Sequence, residues 1–169
     1  MTQDANPLPP PRLFVFLARE APVGLILRRG PTRWVHLIRW DTANDVFEPG
    51  AWFRGRIYEE RCDLSPDGTK FLYFTRKNSP RDNGEVKYTS AWTAVSKTPW
   101  VTALALWPNG DTYGGGGIFE TNSRILLNHF SMQLKPHPDQ MPVGLEVVPN
   151  SSIRVADPPA YYRRLTRDG

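Results

Sequence analysis

The chain is poor in cysteine, histidine and lysine, and it lacks any long apolar run. Cys62 is the one cysteine in 169 residues, which excludes an internal disulfide framework and a cysteine-built zinc cage and makes a reducing compartment the simpler setting. No apolar stretch approaches the roughly 20 residues that carry a helix across a bilayer. The first residues, Met1 to Pro11, are proline-rich and acidic, whereas a secretory leader is basic and then apolar. The expectation is a cytoplasmic protein with no membrane segment. Sustained helical periodicity is missing as well, because 17 prolines are spread along the sequence and interrupt most candidate helices. There is room for at most one short helix.

What is present favours strands. Six tryptophans, 13 glycines and many β-branched residues give strand and turn chemistry rather than helix chemistry. The length suits one domain with a real core. The formal charge is +4, and 16 of the 21 basic residues are arginine, the side chain that stacks on aromatic rings and forks onto carboxylates or phosphates. Bases and acids alternate along the chain, as in Arg39 with Asp41, Arg56 with Glu59 and Glu60, and Arg61 with Asp63. A nucleic-acid binder concentrates its charge on one face or tail, so a mixed solvated surface is the expectation.

Short apolar runs separated by turn residues predict strands over 13–17, 24–27, 34–40, 71–74, 90–95, 101–107, 118–119, 125–127, 145–148 and 153–155. The fold class expected is all-β, built of small antiparallel meander sheets: a proline-rich leader over 1–11, one domain over 12–160, and a basic tail over 161–169. A turn of the form x-Pro-x-Gly recurs at Ala21-Pro22-Val23-Gly24, Ser65-Pro66-Asp67-Gly68, Trp107-Pro108-Asn109-Gly110 and Met141-Pro142-Val143-Gly144. Proline fixes φ at the first corner and glycine takes the positive φ that follows, so each copy is expected to close a hairpin. The prolines are 44, 42 and 34 residues apart, close to the length of one four-stranded propeller blade.

The hairpin Cys62-Asp63-Leu64-Ser65-Pro66-Asp67-Gly68-Thr69-Lys70-Phe71-Leu72-Tyr73-Phe74 resembles the inner hairpin of WD40-like and TolB-like β-propeller blades. Trp34 to Asp41, ending in Trp-Asp, resembles the next strand of such a blade. Tyr88 to Val95, with Trp92, resembles its equivalent in the second repeat, with Thr93 where the family often has Asp. The resemblance spans about residues 12–120 and implies blade-like sheets; it implies almost nothing about function. Closed propellers have four to eight blades, and three repeats with a shortened fourth leave a very small ring or an open one. The alternatives are an irregular all-β domain with blade-like meanders, which is favoured, an incomplete or minimal propeller closed by self-association, or an unrelated compact domain.

Three groups of residues are candidates for function. Gly114-Gly115-Gly116-Gly117, after Asp111-Thr112-Tyr113, reads either as a nest of backbone N–H groups for an anion or as a turn where another backbone approaches closely, and the second is favoured. No lysine or helix pattern follows, so neither phosphate-loop nor dinucleotide fingerprint is present. Alternation places Trp34, His36, Ile38 and Trp40 on one sheet face and Val35, Leu37, Arg39 and Asp41 on the other. The interleaved Trp34, Arg39, Trp40, Trp52, Phe53, Arg54 and Arg56 read as a sheet core with snorkelling arginines or as a partner-binding patch. Pro7 to Arg12 fits a proline-rich ligand pattern, with a spacer role favoured.

Catalytic chemistry finds little support. Cys62 reads as a buried strand thiol, Glu59 and Glu60 as strand neighbours on opposite faces, and His129 and His137 as loop residues. His36 reads as a hydrogen-bonded histidine between tryptophans. Asn150-Ser151-Ser152 marks an exposed loop. No catalytic residue, metal ligand or cofactor is assigned. The function expected is a non-enzymatic binding module that presents Trp34, Arg39, Trp40, Trp52, Arg54 and Arg56 to a protein partner or to itself. The alternatives are a small hydrolase or transferase holding an anionic ligand on Asp111 and Gly114 to Gly117, and, third, a nucleic-acid binder.

Overall fold

The computed structural model describes residues 10–30, 33–77, 90–129, 134–149, 164 and 166–168. Among the described residues twelve strands form three sheets. In the first sheet β1 (Arg12–Leu17), β2 (Val23–Arg29), β3 (Trp34–Asp41) and β4 (Val46–Arg54) run as an antiparallel meander in chain order. The second sheet contains β5 (Arg56–Ile57), β6 (Asp63–Leu64), β7 (Lys70–Arg76), β8 (Ala91–Lys97) and β9 (Ala103–Pro108). Here β5 and β6 pair with successive halves of β7, so they act as one first strand broken by a 3-10 turn at Glu59–Arg61. In the third sheet β10 (Gly117–Phe119) pairs antiparallel with β11 (Arg124–Leu127), and β12 (Glu146–Pro149) joins β11 in parallel. That parallel strand departs from the expected meander.

The sheets stack through apolar faces. Leu25, Leu27, Val35 and Leu37 of the first sheet pack against Ile57, Leu64, Phe71, Tyr73 and Ala94 of the second. The reverse face of the second sheet, with Leu72, Val95, Ala105 and Trp107, packs on Phe119, Ile125 and Leu127 of the third. Both faces of β7 and β8 are therefore buried, which is why these strands read as continuous apolar runs instead of alternating ones. The turns that follow the first strand of each sheet meet at one end: the Glu20 N–H donates to the Pro66 carbonyl at 2.8 Å, and the Asp67 N–H donates to Asn122 Oδ1 at 2.9 Å.

The Ser65 to Gly68 turn shows how local chemistry builds this end. Asp67 Oδ1 accepts from Ser65 Oγ at 2.6 Å, the Thr69 N–H at 3.0 Å and Thr69 Oγ1 at 2.8 Å, while Gly68 takes φ +72. Burial opposes the Asp67 charge, but the Ser65 and Thr69 donors outweigh it and hold the carboxyl below its ordinary range. The Pro22 and Pro66 turns close hairpins as expected, but Gly24 takes no positive φ and instead sits inside β2 opposite Leu17. The Pro108 turn instead ends β9 and leads out of the second sheet, and the Pro142 turn precedes the parallel β12. Both keep positive φ at Gly110 and Gly144, so the turn chemistry holds although the hairpin does not.

Strand β4 was not expected, since Glu48-Pro49-Gly50 breaks the alternation of an edge strand. Proline is tolerated on such an edge, and a side chain at Gly50 would lie within 2.4 Å of the Pro99 carbonyl oxygen. Pro99 in turn accepts the Ala51 N–H at 3.1 Å, so a loop of the second sheet closes over this part of the β4 edge. The free edge of β9 is covered similarly, by Leu106 bonds to His137 and Gln140.

Helical structure appears in two places, one more than expected: the 3-10 turn, and Arg164 with residues 166–168. The tail is docked. Arg167 Nη1 lies 2.7 Å from Asp63 Oδ2, which also accepts the Phe119 N–H at 2.8 Å, and Arg164 donates to the Cys62 carbonyl at 2.8 Å. Burial opposes the Arg167 charge, but Asp63 and Asp168 raise its pKa above the ordinary arginine value. The leader over 1–9, the strand expected at 153–155, the sequon at 150–152 and residues 161–163 lie outside the described residues.

Candidate functional site

Strand alternation and register give the first sheet two apolar faces, and among the described residues only one of them is covered. On the uncovered face the side chains form three rows across the four strands: Leu13, Arg28, His36 and Trp52; Val15, Ile26, Ile38 and Pro49; Leu17, Gly24, Trp40 and Phe47. Trp34 and Arg54 make a further pair at one end. Leu13, Val15, Leu17, Trp34, Phe47 and Trp52 are between 42% and 64% exposed, against 0% to 1% for Leu25, Leu27, Val35 and Leu37 on the other face.

The rings on this face are ordered by one another. His36 stacks on Trp52 with centroids 4.2 Å apart and planes 3° apart, and Trp34 meets the edge of Trp52 at 6.5 Å. Trp40 stacks on Phe47 at 5.8 Å, donates to Asp45 Oδ1 at 2.8 Å, and lies over Gly24, where an added Cβ would be 3.2 Å from its ring. Burial first, and then the neighbouring Arg28, lower the pKa of His36, with the Gly50 backbone acting in the opposite sense. The imidazole is therefore kept neutral as a stacking surface. Arg28 in the first row and Arg54 in the end pair are the cations of this face, and the Asp45 carboxylate meets it at Trp40, at the opposite end.

The predicted patch is thus brought together only in part. Trp34, Trp40, Trp52 and Arg54 share the uncovered face. Arg39 lies on the opposite side of β3, in register with Leu25 and Glu48 and 3.8 Å from the Glu48 carboxylate. Arg56 belongs to the second sheet, with its guanidinium 4.7 Å over the Tyr58 ring. Sequence reasoning missed Leu13, Val15, Leu17 and Phe47. Period-two alternation along β1 contained the signal for the first three, because Phe14 and Phe16 occupy the complementary positions and pack inward.

The glycine-rich loop points into the protein. The Gly115 N–H donates to the Asn128 carbonyl at 2.6 Å and the Gly116 N–H to Thr93 Oγ1 at 2.7 Å, while Gly117 enters the ladder opposite Leu127. A Cβ at Gly115 would sit 2.2 Å from the Phe74 ring, at Gly116 2.1 Å from the Arg61 carbonyl oxygen, and at Gly117 2.2 Å from the Leu126 carbonyl oxygen. These glycines permit close approach, and the N–H groups of Gly115 and Gly116 face protein acceptors. Arg61 Nη1 donates to the Thr112 and Gly114 carbonyls at 2.8 and 2.7 Å, and Asp111 Oδ1 accepts the Tyr113 N–H at 2.9 Å.

Other expectations change with burial. His129 lies in the loop after β11 as expected, but buried there, with Nε2 2.7 Å from Thr93 Oγ1. Glu59 and Glu60 sit on the 3-10 turn and not on a strand, and Arg29 holds the Glu59 carboxylate at 2.9 Å. Cys62 is buried at the end of that turn, just before β6, and its Sγ lies 3.1 Å from the Tyr58 carbonyl. Burial pushes its thiol well above the ordinary range, which keeps it protonated. Among the described residues no group of three or more His, Cys, Asp or Glu side chains is placed to hold a metal ion, and no helix is long and apolar enough to cross a membrane.

The chain matches no protein-family model, no curated protein and no solved structure.

Proposed function

We propose that this chain is a non-enzymatic interaction module whose first sheet docks a protein partner on its uncovered face. One observation carries the reading: among the described residues nothing covers the three cross-strand rows of this face, and Leu13, Val15, Leu17, Trp34, Phe47 and Trp52 stand exposed on it with Arg28 and Arg54 beside them. Contiguous exposed apolar surface of this kind marks interaction sites in soluble proteins. Trp and Arg are also the side chains that dominate binding energy when a partner removes them from water.

The blade resemblance bears on packing alone. In a propeller each sheet packs its face on the next, and the uncovered face of the first sheet is where a preceding blade would lie. The partner supplies that missing neighbour. Arg28 and Arg54 stand toward one end of the face and Asp45, bonded to Trp40, at the other, so the cationic end calls for acidic groups in whatever packs there. The complementary surface is an apolar patch of another protein flanked by Asp or Glu.

The test is quantitative binding to the partner recovered through the intact chain. Trp52→Ala and Arg54→Ala are expected to weaken that complex at least tenfold each, with thermal unfolding of the free chain nearly unchanged. Unchanged affinity in both variants overturns the reading, as does a partner whose contact surface is basic.

A further inference from the structure

A second feature lies apart from the docking face, where the chain passes from β4 to β5. Arg56 and Arg76 are directly opposed in the β5–β7 pair. Like charges directly opposite each other on paired strands are destabilising, so this pairing calls for a compensating group. A third arginine is held beside them: the Gly55 N–H donates to the Arg33 carbonyl at 2.8 Å. Arg33, Gly55, Arg56, Tyr58 and Arg76 line a cleft of about 340 Å³.

Among the described residues no carboxylate lines this cleft, and none forms an ion pair with Arg33, Arg56 or Arg76. The nearby Glu59 is already engaged by Arg29. The Arg56 side chain is also positioned. Tyr58 carries the Arg56 guanidinium 4.7 Å over its ring, which limits the side-chain freedom lost when a ligand binds. Gly55 is required by the approach of the two segments, since a Cβ there would come within 2.5 Å of the Phe53 ring and 3.0 Å of the Arg76 carbonyl oxygen.

We infer that this cleft binds a phosphate group. A phosphate near pH 7 carries close to two charges and presents several acceptor oxygens, and each guanidinium offers a planar fork of donors that matches them. The volume is at the lower end of small-ligand sites, which commonly begin near 300 Å³, so it suits inorganic phosphate or the terminal phosphate of a small metabolite. Bound phosphate relieves the repulsion between Arg56 and Arg76, and the site is therefore linked to folding stability.

The experiment measures thermal unfolding and calorimetric binding of the full chain in chloride, inorganic phosphate and a sugar phosphate at matched ionic strength. Saturable stabilisation by phosphate beyond that of chloride is expected. Arg56→Gln is expected to weaken phosphate binding at least tenfold. Arg76→Gln is expected to do the same and to raise the unfolding temperature in chloride, because it removes one of two opposed charges. Tighter binding of the sugar phosphate assigns a metabolite, and equal binding assigns the free ion. Equal effects of phosphate and chloride, unaltered phosphate binding by Arg56→Gln, or a lower unfolding temperature for Arg76→Gln in chloride would each overturn the inference. Trp52→Ala is expected to leave phosphate binding unchanged, which separates this site from the docking face.

Discussion

The two faces of the first sheet are made by the same four strands and are similarly apolar, yet one is sealed and the other open. Leu25, Leu27, Val35 and Leu37 face the second sheet, whereas Leu13, Val15, Leu17, Trp34 and Trp52 face outward. An ordinary antiparallel sheet at a protein surface is apolar on one side and polar on the other. Here both sides carry the composition of a core. The difference teaches that the first sheet is built like an interior layer whose outer face no described residue covers.

Substitutions can break or sharpen this contrast. The largest effect is expected on the sealed face: Leu37→Ala leaves a cavity between the first and second sheets and should cost about 2 to 5 kcal/mol in denaturant unfolding. Next comes the glycine-rich loop, which resembles a ligand site in sequence but packs like the sealed face. Gly116 has φ +80, and a Cβ there overlaps the Arg61 carbonyl. Gly116→Ala is expected to lose at least about 1 to 3 kcal/mol from backbone conformation alone, measured in the same way.

Leu17→Ala on the open face should change stability by no more than about 0.5 kcal/mol. A loss comparable to Leu37→Ala would mean that the face is covered within the single chain. The smallest effect is the acid response of His36. Its folded pKa lies below the ordinary imidazole value of 6.5, so the unfolded chain binds a proton that the folded chain resists. Its contribution to stability is complete above about pH 6.5 and is lost as pH falls through the folded value. His36→Gln should flatten that acid limb in a pH series of unfolding curves.

The same contrast explains how much was legible in the sequence. The all-β class, the strands from Arg12 to Asp41, the two hairpin turns at Pro22 and Pro66, and the assignment of His36 to the face of Trp34 and Trp40 follow from period two and turn chemistry. Strand β4 was hidden because Pro49 and Gly50 answer to Pro99, a residue far along the chain. Trp107 to Gly110 looked like a hairpin because the same residues make any tight turn, whichever sheet the chain enters next. The burial of the loop residue His129 was hidden because its partner Thr93 is distant in sequence.

The open face was half visible for a related reason. The tryptophans drew attention to themselves, while Leu13, Val15 and Leu17 read as core because apolar alternation does not say which of two apolar faces is covered. Arg39 was assigned to the patch through its neighbours in sequence, although the pleat turns it to the other side. The arginine cleft was invisible, since only strand register places Arg56 opposite Arg76.

The most direct measurement is photo-crosslinking in native extracts from a reactive amino acid placed at position 52, on the open face, compared with position 113. Tyr113 is 74% exposed and lies in the loop after β9. The account predicts one dominant crosslinked protein from position 52, absent from position 113, with the contact mapped to an apolar segment flanked by acidic residues. Identical crosslinks from both positions, or none from position 52 in extracts where the chain is abundant, would contradict it.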